Sequence, residues 1–231
     1  MVKSGADIID VGGESTRPGS KIISQKKELK RVKQVIKKFK KNFPKTLLSI
    51  DTRKSLVMNF SIKHKVDIIN DVSCFKFDPA SLDTIKNKNL WKIIHHMQGT
   101  PQTMQINPKY DNVLLDIYDF FEREIKKLKK FKHNKKIILD PGIGFGKNLK
   151  HNLMILNKIS LFHSLGFPIL IGTSRKRFIN QISGKYDTKE RIGGTLSSIM
   201  YSLSQGVKIF RVHNVEEVKQ GILVFEKLLN K

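Results

Sequence analysis

Apolar residues fall along this chain in two alternating rhythms. Short, nearly continuous apolar runs cover 7–11, 47–50, 66–69, 91–94, 136–139, 168–172 and 207–210. Runs of this length, apolar on both faces, predict strands of a parallel sheet covered on each side. Between them, apolar residues recur three and four apart, which predicts helices over 24–41, 54–64, 79–87, 111–131, 148–165, 175–181, 189–204 and 215–229. In 111–131, Leu114, Ile117, Tyr118, Phe121, Ile125 and Leu128 make one stripe. Ser24, Asn148, Thr188 and Asn214 stand where helix N-caps are expected.

Strand–helix alternation makes the strands parallel and collects their C-terminal ends on one rim. Every strand stops at a polar cluster: Gly12–Gly19, Asp51–Lys54, Asn70-Asp71, His95–Gly99, Asp140–Lys147, Thr173–Lys176 and Arg211–His213. That rim is where α/β folds hold their chemistry, so the pattern reads as an enzyme. An open sheet concentrates its site at one switch point, whereas here nearly every strand end is marked. The expectation is an α/β TIM (β/α)₈ barrel forming a single domain over 1–231. Only seven strands are counted, and Lys3–Ala6 reads as the tail of a helix, so the first strand and most of the first helix are expected to be missing.

Composition narrows the class. With 39% hydrophobic residues in 231, the chain can bury a core, and no run approaches the 18 apolar residues of a membrane span. A single cysteine, Cys74, excludes an internal disulfide and fits a reducing compartment. With no signal-peptide core at the N-terminus, the expected location is cytoplasmic. The net charge of +24 raises the question of nucleic acid. In 26–41, however, the lysines fall on the face left over by Leu29, Val32, Ile36 and Phe39, and no nucleic-acid module is recognisable. Neither nucleic acid nor membrane is expected as a partner. The positive field would favour small anionic substrates.

Three groups of residues suggest chemistry. The Gly12–Gly19 loop allows close backbone approach to a ligand and carries Thr16 and Arg17, the latter able to clamp an anion. Asp51, Asn70 and Asp140 would ring one mouth, where buried carboxylates need cations or donor-rich ligands, with Lys176 at hand. Arg211 and His213, two apart, form a candidate anion site at the last strand. The run Gly142–Lys147 is one residue short of a Walker A spacing and has Asn148 in place of Ser or Thr, so it reads as a pocket wall with Phe145 as a stacking surface. Adjacent His95 and His96 face opposite ways and do not suit one metal ion. Cys74 has no basic partner in sequence and reads as inert.

Taken in order, these motifs resemble those of the dihydropteroate synthase family. They are Asp10–Gly19, Ser49–Thr52, Ile68–Asp71, His96–Gly99, Leu139–Lys147, Ser174–Lys176 and Arg211–His213. The resemblance implies a barrel that condenses 6-hydroxymethyl-7,8-dihydropterin diphosphate with p-aminobenzoate to give 7,8-dihydropteroate and diphosphate. It further implies that Asp51, Asn70, Asp140 and Lys176 hold the pterin and that Arg211 and His213 bind the diphosphate. Thr16 and Arg17 would lie on a loop closing over both substrates, and Arg17, Lys176, Arg211 and His213 would be the catalytic group. Mg²⁺ is the implied cofactor and a homodimer the implied assembly. The family's metal-ligating Asn belongs to the first strand, so no metal ligand is expected within this chain. Alternatives are an inactive pterin-binding paralogue or another pterin barrel, such as a methyltetrahydrofolate methyltransferase.

Overall fold

In the computed structural model, which describes residues 1–229, strands and helices alternate as the pattern predicts. The strands are β1 (Ile8–Gly12), β2 (Leu47–Asp51), β3 (Ile68–Asp71), β4 (Trp91–His95), β5 (Ile137–Asp140), β6 (Leu170–Ile171) and β7 (Ile209–Phe210). The helices are α1 (Gln25–Asn42), α2 (Ser55–Lys63), α3 (Ser81–Ile85), α4 (Val113–Leu128), α5 (Leu149–Asn157), α6 (Arg177–Ser183), α7 (Ile192–Ser204) and α8 (Val215–Leu229). All pairings are parallel: β1 to β5 follow one another in sequence order, β6 pairs with β7, and a bridge from Leu139 to Ile169 joins the two sheets. This is the strand order of a (β/α) barrel.

The two-residue period of the strands builds the interior in two storeys. Ile8, Ile68, Trp91, Ile93, Ile138, Leu170 and Ile209 pack together as an apolar floor. The alternate residues face the helices: Leu48, Ile50 and Ile69 pack with Val32, Ile36 and Phe39 of α1. On the other side Ile94, Ile137, Leu139, Ile169 and Ile171 pack with Ile117, Phe121 and Ile125 of α4. Two positions beyond the floor, the same inward face carries Asp10, Asn70, His95, Asp140, Gly172 and Arg211, joined by Asp51 through its register with Gly12 and Asn70. A strand rich in Ile therefore delivers a polar atom to the mouth simply by ending one step later.

Several boundaries differ from the periodicity. The 148–165 stretch divides at Lys158 into α5 and a 3₁₀ helix, Ile159–Leu165. Ile159 and Phe162, one 3₁₀ turn apart, are both fully buried. Lys189–Arg191 is also a 3₁₀ turn ahead of α7, and Thr188 makes no side-chain cap bond. Ser24 and Asn148 do cap α1 and α5, and Asn112 caps α4. Asn214 gives its side-chain oxygen to the Arg175 guanidinium instead, at 3.1 and 2.7 Å. Among the described residues no backbone pairing joins β7 to β1. Side chains cross that seam, with Arg211 reaching Asp10 and Lys219 Nζ donating to the Gly5 carbonyl at 2.7 Å.

Candidate active site

One cation meets two carboxylates at the centre of the mouth. Arg211 Nε lies 2.9 Å from Asp10 Oδ2, and its Nη2 lies 3.2 Å from Asp51 Oδ2. Asn70 Nδ2 donates to the same Asp10 oxygen at 3.2 Å. Burial, reinforced by the Asp10 charge and opposed by Arg211, pushes Asp51 up to about 7. Burial works against the charge on Arg211, but Asp10, Asp51 and Asp140 outweigh it and hold the guanidinium above its ordinary value. Asp10 Oδ1 and Asn70 Oδ1 are buried with no partner, so the mouth presents unmet acceptors.

Across the mouth, Asp140 accepts from the Gly142 amide through Oδ1 at 2.8 Å. Its Oδ2 is 3.9 Å from His95 Nε2. Burial pushes His95 down to about 4, so near pH 7 the ring is neutral and that approach is no ion pair. His95 packs edge-on against Phe145 at 4.6 Å between centroids, and Phe145 in turn lies 4.3 Å beneath Lys176 Nζ. Burial lowers Lys176 to about 8 against the pull of Asp140. Lys147 is also buried and donates to His96 Nδ1 (3.0 Å) and the Phe145 carbonyl (2.9 Å), tying the Phe145 loop to the end of β4.

His213 is held from behind: Ser174 Oγ lies 3.0 Å from its Nδ1 and accepts its backbone N–H at 3.2 Å. Burial, then the Arg175 and Arg211 charges, keeps the imidazole below its ordinary value. Arg175, between Ser174 and Lys176, adopts φ +60, a conformation rare outside glycine. It is fixed by Thr195 Oγ1 on its N–H and Arg191 on its carbonyl. The β1–α1 loop, with half-buried Thr16 and exposed Arg17, reaches over to the segment after β4. Gly19 N–H donates to the Pro101 carbonyl, and Gln102 Nε2 to that of Ser20, each at 3.0 Å.

The structure thus gathers Asp51, Asn70, Asp140, Phe145, Lys176 and Arg211 at one opening, with His213 beside Ser174 at its edge and Arg17 on the overhanging loop. The strand argument for Arg211 and His213 needs correction, since β7 ends at Phe210 and both lie in the loop beyond it. Sequence reasoning also gave no role to Asp10 or Ser174, although both stand at the start of the motifs Asp10–Gly19 and Ser174–Lys176. Asp10 shares the inward face with Ile8 and Gly12, a period-two signal hidden inside an apolar run. The pairing of Ser174 with His213 carried no signal, because the two are 39 residues apart. No group of three or more His, Cys, Asp or Glu that could hold a metal ion lies among the described residues.

A barrel-type strand order with a mouth lined by carboxylates, lysine and arginine defines an enzyme for a polar, partly anionic substrate. A family model described as pterin binding enzyme matches residues 1–213. The dihydropteroate synthase of Escherichia coli K12 is 39% identical over 231 residues, covering 100% of this chain and 81% of that protein. The one from Haemophilus influenzae is 36% identical, covering 100% and 83%. Among solved structures, Yersinia pestis dihydropteroate synthase in a sulfonamide drug complex superposes with a TM-score of 0.94 at 35% identity, over 99% of this chain and 82% of that one. The Xanthomonas albilineans enzyme with 4-aminobenzoic acid gives 0.91 at 30% identity, over 99% and 81%. The chain belongs to the pterin-binding enzyme family, on its dihydropteroate synthase branch.

Proposed function

We propose that this chain is a transferase that joins 6-hydroxymethyl-7,8-dihydropterin diphosphate to p-aminobenzoate, releasing diphosphate and forming 7,8-dihydropteroate. The observation that carries the reading is the convergence of Asp51, Asn70, Asp140, Lys176 and Arg211, from five different strand ends, on one mouth. A pterin's aminopyrimidine edge offers adjacent N–H donors. Asp140 has one oxygen engaged by Gly142 and the other without a close protein donor, so it suits such an edge. Asn70, two strands away on the same inward face, supplies a buried unmet oxygen, and Lys176 a donor over Phe145.

In the reaction the methylene C–O bond breaks with its electron pair going to diphosphate. The aniline nitrogen then forms the new C–N bond and loses a proton. Charge develops on the leaving diphosphate, so a preorganised cation gives the largest stabilisation. Arg211 takes that role, with Arg17 approaching from the loop, while His213, held below its ordinary value and so neutral near pH 7, supplies a ring N–H donor. No covalent enzyme nucleophile enters: Cys74 is buried and its thiol is pushed well up by burial. The described residues do not by themselves build a Mg²⁺ site, because Asp10 and Asp51 already share Arg211.

Steady-state kinetics test the reading. Arg211→Ala and Asp140→Ala should each lower kcat/KM by roughly 2–4 kcal/mol of transition-state stabilisation. Near-wild-type values for both would end the assignment. A protein that binds dihydropterin diphosphate without turnover would instead be the inactive paralogue.

The same reading makes 1–231 one domain working in the cytoplasm; no described helix is long and apolar enough to cross a membrane. It also makes the assembly a homodimer. Tyr201 on α7 and Leu223, Val224 and Leu228 on α8 are about half exposed or more, an apolar face of the kind that subunit contacts cover. Sedimentation at micromolar concentration should give twice the 26.6 kDa chain mass, and a Leu223→Glu, Val224→Glu double variant should give monomer.

A further inference from the structure

A four-member charge network lies behind the β1–α1 loop and belongs to none of the substrate contacts above. Glu14 Oε2 meets Arg53 Nη2 at 2.6 Å, Glu14 Oε1 meets Lys54 Nζ at 2.8 Å, and the same Nζ meets Glu28 Oε2 at 2.6 Å. All four side chains are at most 4% exposed. Two acids and two bases cancel, which is how charges are tolerated so deep. Arg53 is further held over the Phe77 ring at 4.2 Å.

Glu14 has one more partner. Its Oε1 also accepts the backbone N–H of Ile23 at 2.9 Å. A single carboxylate therefore ties the two feet of the segment 14–23 together and pins both to the α1–α2 side of the fold. The far side of that segment rests on Pro101 and Gln102 across the mouth. Between these two anchorages lie Thr16 and Arg17. Gly13 closes the arrangement below: a Cβ there would lie 2.8 Å from Glu28 Cγ and 2.9 Å from its carbonyl oxygen, so glycine lets the loop lie directly on α1.

We infer that Glu14 is a positioning residue, whose carboxylate fixes the loop bearing Thr16 and Arg17 over the mouth so that the second substrate meets a preformed wall. The inference rests on the functional reading above for which substrate is affected, but not for the anchoring itself. Pterin contacts come from Asp51, Asn70, Asp140 and Lys176 on other strand ends, so losing the tether should leave them in place. The loss falls on the substrate that needs the loop.

Three measurements on Glu14→Gln test this. The variant keeps the shape but removes the charge that Arg53 and Lys54 share. KM for p-aminobenzoate should rise on the order of tenfold, as for loss of a buried charge-assisted contact. The Kd for 6-hydroxymethyl-7,8-dihydropterin, which lacks the diphosphate that Arg17 approaches, should stay within about twofold of wild type by titration calorimetry, reflecting the separate strand ends. Trypsin cleavage after exposed Lys21 should quicken on the order of tenfold if the feet have come free. Should Glu14→Gln fail to fold, Ile23→Pro decides, since it removes the amide donor to Glu14 and leaves the buried Glu14, Arg53, Lys54 and Glu28 side chains in place. Unchanged KM and unchanged cleavage in a folded variant overturn the inference. Equal loss of p-aminobenzoate and of the diphosphate-free pterin, tracking the fall in Tm, also overturns it by reducing Glu14 to general stability. If wild type binds no pterin, the functional reading has failed, and the cleavage rate alone still tests the tether.

Discussion

At the scale of single residues, the mouth is a competition among carboxylates for too little positive charge. Asp51 carries the consequence: its folded-state value of about 7 lies above the unfolded 3.8, chiefly through burial and then the Asp10 charge. A group raised in this way stabilises the fold below its unfolded value, and that contribution fades as pH climbs toward its folded value. Wild type should therefore lose stability relative to Asp51→Asn between about pH 4 and pH 7. Asp71 is also raised, to about 6, and its charge acts on Asp51, so the Asp71→Asn variant and the double variant should be melted alongside to separate the two. Thermal melts should show Tm of the Asp51→Asn variant minus Tm of wild type growing through that window, at roughly 2–4 °C per kcal/mol. A flat difference would mean that Asp51 is ionised throughout. Asp10 is the instructive omission at this scale. Its role could be counted out from Ile8 by twos, yet nothing in its own neighbourhood separates it from a strand's polar terminus.

At the scale of elements, the sequence made the strands legible because their ends change chemistry abruptly, from Ile138-Leu139 to Asp140 for instance. Helix interiors were legible through their apolar stripes. The breaks within them were not, because Lys158 is a good helix former and nothing in its own neighbourhood marks it as the point where α5 gives way to a 3₁₀ turn. The segment after β5 shows how an element serves the site. Gly142, at φ +68, lets the backbone turn under Asp140, and a Cβ there would run into the His96 carbonyl oxygen. Gly146, at φ +61, is similarly packed on the Gln98 carbonyl, 2.6 Å from where a Cβ would be. Both conformation and space are closed to alanine. Gly142→Ala should cost roughly 2–4 kcal/mol, combining αL strain with overpacking against backbone that cannot yield. It should also shift Phe145 and weaken pterin binding beyond what the stability loss explains. Urea denaturation measures the first effect and calorimetry the second; a variant within about 0.5 kcal/mol of wild type would mean that the loop can rebuild itself.

At the scale of the whole molecule, the same +24 charge that raised the question of nucleic acid has a use closer to the site. Lysines on the solvated helix faces act together as a field, while the mouth collects Lys176, Arg211 and the overhanging Arg17. An anionic substrate approaching such a body is drawn in before any contact forms, and salt removes that attraction within a Debye length of about 10 Å at 0.1 M. The two substrates differ in charge, since a diphosphate ester is multiply charged whereas p-aminobenzoate carries one carboxylate. Raising NaCl from about 25 to about 300 mM should therefore lower kcat/KM for the dihydropterin diphosphate several times more steeply than for p-aminobenzoate. Stability should move the opposite way, because the salt that weakens capture also screens self-repulsion among 44 basic residues set against 20 acidic ones. Parallel salt slopes for the two substrates would mean that the surface lysines contribute nothing to capture and that the local cations at the mouth act alone. A divergence that persists when Lys37 and Lys38 of α1 are changed to Gln would locate the attraction in the mouth; a divergence that shrinks would assign it to the molecule's overall field.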